Sequence, residues 1–294
     1  AVAMADGIDF IIGLGGGSSM DTAKGCNFIL TNGGEMKDYW GIGKASQPML
    51  PSIMIPTTAG TGSECQSFAL ISDNATHQKM ACGDPKAMAK VAILDPELTL
   101  SQPPRVTACT GIDAIAHAVE TAVTRKRNET SLKYSRAAFQ MMLENFSRVL
   151  ESPDDLEARG QMLLGAAYAG TAIEHSMLGA AHSAANPLTA HFDVIHGQAV
   201  GMMLPHVVRF NAADETIADG YAALVKDTAV ASSNGTLSAE ALAQAMEALL
   251  DSAQLPRDLT AFGMDANQLD VLSKEAAQQW TASFNPRDIT AADF

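Results

Sequence analysis

The apolar run Ile8 to Leu14 stops at Gly15-Gly16-Gly17, and the chain then continues as Ser18-Ser19-Met20-Asp21-Thr22-Ala23-Lys24. No other stretch constrains the fold as much. A short buried strand that ends in glycines and opens into a helix is the connection of a parallel α/β layer. Without a Cβ in the way, backbone N–H groups at such a turn can approach a ligand closely, and the positive end of the helix dipole favours a phosphate. The competing reading is a plain tight turn, with Ser18 or Ser19 as helix N-cap, Asp21 as a first-turn charge and Lys24 in solvent. The loop lacks the G-x-G-x-x-G spacing with an acidic residue ~20 positions on, so it is not a standard dinucleotide fingerprint.

Two more apolar runs, Ser52 to Ile55 and Val91 to Leu94, end in the turn signals Pro56-Thr57-Thr58 and Asp95-Pro96 and read as neighbouring strands. Between them, Ser67 to Ser72 and Lys79 to Cys82 flank the polar stretch Asp73 to Gln78, which predicts a hairpin laid over the sheet. Ala1 to Gly7 reads as the tail of a helix. After Ser101-Gln102-Pro103-Pro104 the pattern changes. Ala, Leu, Met and Glu recur at helical spacing, predicting helices over Ile112–Val123, Ser131–Val149, Leu156–Ile173, Gln198–Arg209 and Ala239–Leu250. Strands first and helices later imply an α/β layer over residues 1–104 and an all-helical one over 105–294. With 47% hydrophobic but only 5% aromatic residues, packing through small side chains is expected.

A formal charge of −14 disfavours phosphate backbones and anionic lipid, so neither nucleic acid nor a membrane is an expected partner. The four cysteines, Cys26, Cys65, Cys82 and Cys109, form no close pair, which argues against a disulfide framework and fits a reducing cytoplasm. No basic-apolar leader is recognisable, and no uncharged run approaches the ~20 residues of a membrane span.

A second polar turn, Pro56-Thr57-Thr58-Ala59-Gly60-Thr61-Gly62-Ser63-Glu64, also follows a strand, and ligands of open α/β sheets gather beyond the strands' carboxyl ends. The two turns could face one another and grip a diphosphate and a ribose. Taken alone, the second is an ordinary Thr/Gly connection with Glu64 solvated. Further on, Asp113 and His117 stand four residues apart, one helical turn on one face, which is chelating geometry. Glu120 shares that face, so a salt-bridged surface is the rival explanation. His182, His191 and His196 follow in an apolar, small-residue region where buried imidazoles need partners. His182 and His196 are the choices that complete a mixed N/O set suited to Fe(II), Zn(II) or Mn(II). His77, His175 and His206 carry no local signature.

These stretches, taken in order, match a family. G-G-G-S-x-x-D-x-A-K at Gly15 to Lys24, P-T-T-A-G-T-G-S-E at Pro56 to Glu64 and G-x-D-A-x-x-H-A-x-E at Gly111 to Glu120 are followed by H-x(13)-H-G at His182 to Gly197, L-P-H-V at Leu204 to Val207 and N-P-R at Asn285 to Arg287. The chain resembles the iron-dependent (group III) alcohol dehydrogenases over almost its whole length. The resemblance implies an N-terminal α/β dinucleotide-binding domain with a partial parallel sheet, a helical C-terminal domain, and an active site in the cleft between them. It implies cofactor contacts from Gly15, Gly16, Gly17, Ser18, Ser19 and Asp21, from Thr57, Thr58 and Thr61, and from Lys79 on the hairpin. Asp113, His117, His182 and His196 would hold the metal, most commonly Fe(II), and a small alcohol or carbonyl would exchange hydride with NAD or NADP. A homodimer or larger homo-oligomer is the family expectation.

Two departures qualify the resemblance. Many relatives carry a substrate-pocket histidine four residues after the third ligand, where this chain has Asn186, and an amide cannot relay a proton. His191 is the candidate substitute. The chain also lacks the first strand–helix units, where relatives bind adenosine and choose NAD over NADP, so an N-terminally truncated chain is expected. Other readings are a hydroxyacid–oxoacid transhydrogenase of the same family, a lyase similar to 3-dehydroquinate synthase, and a non-catalytic metal- or nucleotide-binding protein.

Overall fold

The structure is a computed structural model that describes residues 7–73, 79–230 and 238–294. The expected helix tail at residues 1–6 and the hairpin tip at 74–78, with His77, lie outside the described residues. Strand β1 (Ile11–Gly15) runs into helix α1 (Gly17–Asn32), as the glycine loop predicts. Two very short and three ordinary strands follow: β2 (Gly41–Ile42), β3 (Ser52–Pro56), β4 (Phe68–Ser72), β5 (Lys79–Gly83) and β6 (Val91–Ala92). The order β1-β3-β6 forms a parallel sheet with Ile11 opposite Ser52 and Ile53 opposite Val91. The hairpin β4–β5 is antiparallel as expected, and it builds a second sheet with β2. Alternate residues of β1 stay open to solvent, with Ile12 54% and Leu14 58% exposed.

From Pro104 the chain is helical: α2 (Pro104–Thr121), α3 (Glu129–Glu151), α4 (Leu156–His175), α5 (Ala180–Phe192), α6 (His196–Asn211), α7 (Glu215–Val225), α8 (Ala239–Ser252) and α9 (Leu269–Gln278). The α/β-then-helical class is as the sequence implies. Helix α2 starts eight residues before the expected Ile112. Pro104 occupies its first position, where a missing N–H and a fixed φ cost nothing, so the proline pair opens the helix instead of breaking it. Helix α5 was not among the expected helices because Pro187 interrupts it and cannot donate to the carbonyl of Ser183.

The core is centred on α2, buried almost all round from Ala108 to Thr121, as a helix enclosed by others must be. Ile112, Ile115 and Val119 meet Phe139, Met142 and Phe146 of α3 and Leu204 and Val208 of α6 in one apolar cluster. Each large side chain so buried contributes about 1.5–3 kcal/mol. A smaller cluster, with Phe28, Tyr39, Met80 and Cys82, holds the hairpin sheet to α1. The two regions are stitched where the second turn meets α4. A Cβ on Gly170 would lie 2.3 Å from the carbonyl oxygen of Gly62, and Glu174 accepts from the backbone N–H (2.9 Å) and hydroxyl (2.8 Å) of Ser67. Among the described residues, no helix is long and apolar enough to cross a membrane.

Candidate metal and dinucleotide site

Three helices deliver the histidines and the aspartate. Asp113 and His117 project from adjacent turns of α2, His182 comes from the first turn of α5, and His196 is the first residue of α6. One oxygen, Asp113 Oδ1, lies 3.4 Å from His182 Nε2, 3.6 Å from His117 Nε2 and 3.9 Å from His196 Nε2. Asp113, His182 and His196 offer ligand atoms that all fall within 4.8 Å of one another. His117 joins them through Asp113 and through its ring, which stacks on that of His182 at 4.8 Å between centroids. Gly197 explains how the helices come so close. A Cβ there would sit 2.0 Å from the carbonyl oxygen of Cys109 and 3.0 Å from Asp113 Cβ, so only glycine lets α6 begin against α2.

Burial opposes charge on Asp113, but His117, His196 and His182 around it hold its pKa well below the usual carboxylate range. Burial pushes His117 down to about 4 and His196 down to about 3, so both present neutral imidazoles at pH 7. Burial also works against a charged His182, but the carboxylates of Glu120 and Asp113 prevail and raise it to about 9. A cation entering the site would therefore displace a proton from His182.

Asp113 Oδ1 and His182 Nε2 are buried and neither makes a hydrogen bond. An unsatisfied buried polar atom costs about 1–3 kcal/mol, more when charged, so this convergence calls for an occupant. One carboxylate oxygen and a set of imidazole nitrogens fit a divalent transition metal such as Fe(II), Zn(II) or Mn(II).

The two polar turns do face one another. A Cβ on Gly16 would touch the Thr58 side chain at 3.4 Å, and one on Gly17 would meet that of Thr61 at 2.6 Å. Thr57 donates its N–H to the carbonyl of Gly15 (3.0 Å). Gly16, not Ser18 or Ser19, is the N-cap of α1, and no side chain caps that end. The Thr58 hydroxyl is buried without a partner beside it. Lys79, exposed at the start of β5, has its charge within electrostatic reach of both Asp21 and His196.

Asp21, Lys24 and Glu64 are not the solvent-facing groups of the plain-turn reading. The Lys24 ammonium, 1% exposed, donates to Ser63 O (2.6 Å), Ser63 Oγ (2.9 Å) and Phe68 O (2.8 Å). Both Asp21 oxygens are committed inside the protein, to Ser63 Oγ (2.6 Å) and the N–H of Leu70 (3.1 Å). They brace α1 against the second turn and the hairpin. Glu64, read as solvated, is 3% exposed with neither oxygen hydrogen-bonded, and burial pushes its pKa up to about 7.

Asn186 stands one turn beyond His182 on the same face of α5, half-buried, and donates to Gln279 Oε1 (3.0 Å). His191 is not brought to the set. Nine residues past His182 it points from the opposite face at ~100° per residue, and it pairs in the open with Glu275 (2.8 Å). Sequence reasoning missed the role of Glu120. Helical spacing suggests a surface partner for its own helix, but Glu120 is 4% exposed and lies 2.6 Å from His182 Nδ1. Its position seven residues beyond Asp113, on the ligand stripe of α2, was the only available signal.

Residues 107–294 match the family model described as the Fe-containing alcohol dehydrogenase family, C-terminal, and residues 1–96 match that of the iron-containing alcohol dehydrogenases. The chain is 32% identical over 285 residues to the NAD-dependent methanol dehydrogenase of Bacillus methanolicus, spanning 97% of this chain and 75% of that one. It is 30% identical over 293 residues to the lactaldehyde reductase of Escherichia coli (strain K12), spanning 98% and 75% respectively. The solved alcohol dehydrogenase from Oenococcus oeni superposes with a TM-score of 0.91 at 30% identity, covering 99% of this chain and 76% of that one.

Proposed function

The chain belongs to the iron-containing alcohol dehydrogenase family, and from that premise we propose that it transfers a hydride between a small alcohol and a nicotinamide dinucleotide, and back from the aldehyde or ketone. The observation that carries this reading is the convergence of Asp113, His117, His182 and His196 on one point where buried polar atoms lack partners. In the proposal these four side chains hold a divalent metal, with Fe(II) the first candidate. When bound, that cation supplies a Lewis acid at the alcohol oxygen, and the nicotinamide supplies the hydride acceptor.

The protein's own residues do the rest. Asp113 brings the one negative charge, and the low pKa values of His117 and His196 keep their lone pairs free for coordination at neutral pH. The loop Gly15 to Ser19 at the open end of α1, whose Gly16, Gly17 and Ser18 N–H groups lead the helix, holds the diphosphate together with the hydroxyls of Thr57, Thr58 and Thr61. Lys79 reaches the dinucleotide from the hairpin, while Asp21 serves by fixing α1 rather than by touching the cofactor. Asn186 lies on the substrate side of His182, where its amide can orient a hydroxyl but cannot take its proton. The hydroxyl proton therefore leaves by a route other than Asn186. The proposal extends to a domain division between residues 104 and 105, a homodimer or larger assembly, a cytoplasmic location, and NAD or NADP as cofactor.

The test is nicotinamide absorbance followed while the metal-loaded, complete protein meets a panel of short alcohols, aldehydes and ketones. Turnover with at least one pair is expected, and His196→Ala should abolish it. Metal-loaded protein that leaves the absorbance unchanged across the panel would overturn the reading.

A further inference from the structure

Glu120 uses both of its carboxylate oxygens on helix α5. Oε1 accepts the N–H of Ala181 at 2.7 Å, and Oε2 lies 2.6 Å from Nδ1 of His182. Ala181 and His182 sit in the first turn of α5, whose N-cap, Gly179, has no side-chain cap of its own. A Cβ on Gly179 would stand 3.1 Å from Glu120 Oε1, so the glycine makes room for the carboxylate to approach. One anion from α2 therefore does the capping work that α5 lacks, at the end where a negative charge is favoured.

The same anion decides how His182 presents itself. With the Oε2 carboxylate against Nδ1, the proton that His182 keeps once a cation has displaced the other stays at Nδ1, and Nε2, the nitrogen freed, faces Asp113 Oδ1 at 3.4 Å without a hydrogen bond. Which ring nitrogen can bind a metal is set by what the other nitrogen bonds. One residue further along α5, Ser183 Oγ pairs with Thr281 Oγ1 at 2.7 Å in the interior, a second buried tether on the first turn of the helix.

We infer that Glu120 is the positioning residue of the metal site: by capping α5 and holding the His182 proton at Nδ1, it delivers a bare Nε2 to the cation. This rests on the metal reading given above, and it goes beyond the four ligand side chains. It makes Glu120→Gln an informative change, because an amide has only one oxygen. If that oxygen keeps the Ala181 N–H, the NH2 group faces Nδ1 and favours the tautomer that carries its proton on Nε2, blocking the ligand position. The cap survives and the tautomer reverses.

Zinc alone, as a redox-inert probe, is titrated into the metal-stripped complete chain against a chromogenic chelator, for wild type, Glu120→Gln and Glu120→Ala. A loss of ~10–100-fold in zinc affinity is expected for Glu120→Gln, the range for removing a partner of a metal-bound histidine. Melting of the metal-free Gln variant should stay closer to wild type than that of the Ala variant. In the zinc-loaded wild type, two-bond nitrogen–proton spectra should show His182 protonated at Nδ1. Equal zinc affinity of wild type and Glu120→Gln, or a zinc-loaded His182 protonated at Nε2, would overturn the inference while leaving the metal site standing. A wild type that binds no zinc would remove the metal reading and this one together. Should Glu120→Ala fail to fold, the Gln variant and the spectrum of the wild type still decide.

Discussion

The metal cluster and the brace behind the glycine loop are made from similar material, buried carboxylates beside buried bases, and they end in opposite states. Around Lys24 the partners are complete: its ammonium donates to three oxygens, and both oxygens of Asp21 accept. Around Asp113 they are not, since Asp113 Oδ1 and His182 Nε2 face each other with neither hydrogen-bonded. A saturated buried network holds elements together, whereas an unsaturated one is stable only when something else enters. On the proposed reading, the difference separates structural from ligand-binding residues within a single set of family motifs. Asp21 and Lys24 belong to the glycine-loop motif by sequence, yet they work as the inner side of a joint.

The sharpest way to break this contrast is Asp113→Asn. Among the described residues it removes the only formal negative charge in direct reach of all three imidazoles, so metal affinity should fall by more than the ~100-fold upper range for a partner that touches only a ligand. The readout is thermal melting with and without zinc. At 100 times the wild-type dissociation constant, bound metal adds about 2.7 kcal/mol to stability. Wild type should show that gain and the variant should not. A variant stabilised as much as wild type would mean that the cluster is not the site.

The brace answers to a different measurement. Lys24→Met should lower stability by about 3–5 kcal/mol, because breaking a buried ion pair leaves the other charge uncompensated, here Asp21 together with two stranded carbonyls. Denaturant unfolding of the metal-free protein measures it. Zinc affinity should stay within a few-fold of wild type, since no metal-cluster residue touches Lys24. A variant that loses zinc and keeps its stability would invert the assignment of the two regions.

How much of this was legible beforehand follows from the range of each interaction. The parallel strands could be read because each is a local apolar run closed by Gly or Pro, and the histidines could be grouped because six motifs occur in family order. What escaped depends on distant partners or on a proline's position. Lys24 meets Ser63, 39 residues away, and Glu120 meets His182, 62 residues away. Nothing near either residue marks it as buried. Helix α5 was hidden by Pro187, and the start of α2 by Pro103-Pro104, because the same residue breaks a helix interior and suits a helix start.

Glu64 sharpens the comparison from the side of the second turn, where one acid is left out of the brace. Its folded pKa of about 7 lies above the ordinary 4.5, so its contribution to stability is full below pH 4.5 and is lost as pH rises through 7. At about 1.36 kcal/mol per pKa unit the loss is on the order of 3 kcal/mol. Glu64→Gln removes this dependence. Its unfolding free energy should be flatter than wild type between pH 4.5 and 7 and higher at pH 8. Parallel pH profiles for the two proteins would show that Glu64 titrates normally.

The smallest effect belongs to His191, and its smallness discriminates. Asn186 shares the face of α5 that carries His182, the side on which the proposal puts the substrate, whereas His191 looks the other way and shares an exposed ion pair with Glu275. Exposed pairs are worth about 0–1 kcal/mol, so His191→Gln should shift melting by little and leave kcat/KM and its pH dependence within about twofold of wild type. Asn186→His, by contrast, puts a titratable ring one turn from His182 and should add a pH-dependent limb to the same profile. If the limb is already present in wild type and vanishes with His191→Gln, then α5 must turn or unwind near Pro187 to bring His191 inward, and the helix face defined by His182 and Asn186 would not be the one that meets substrate.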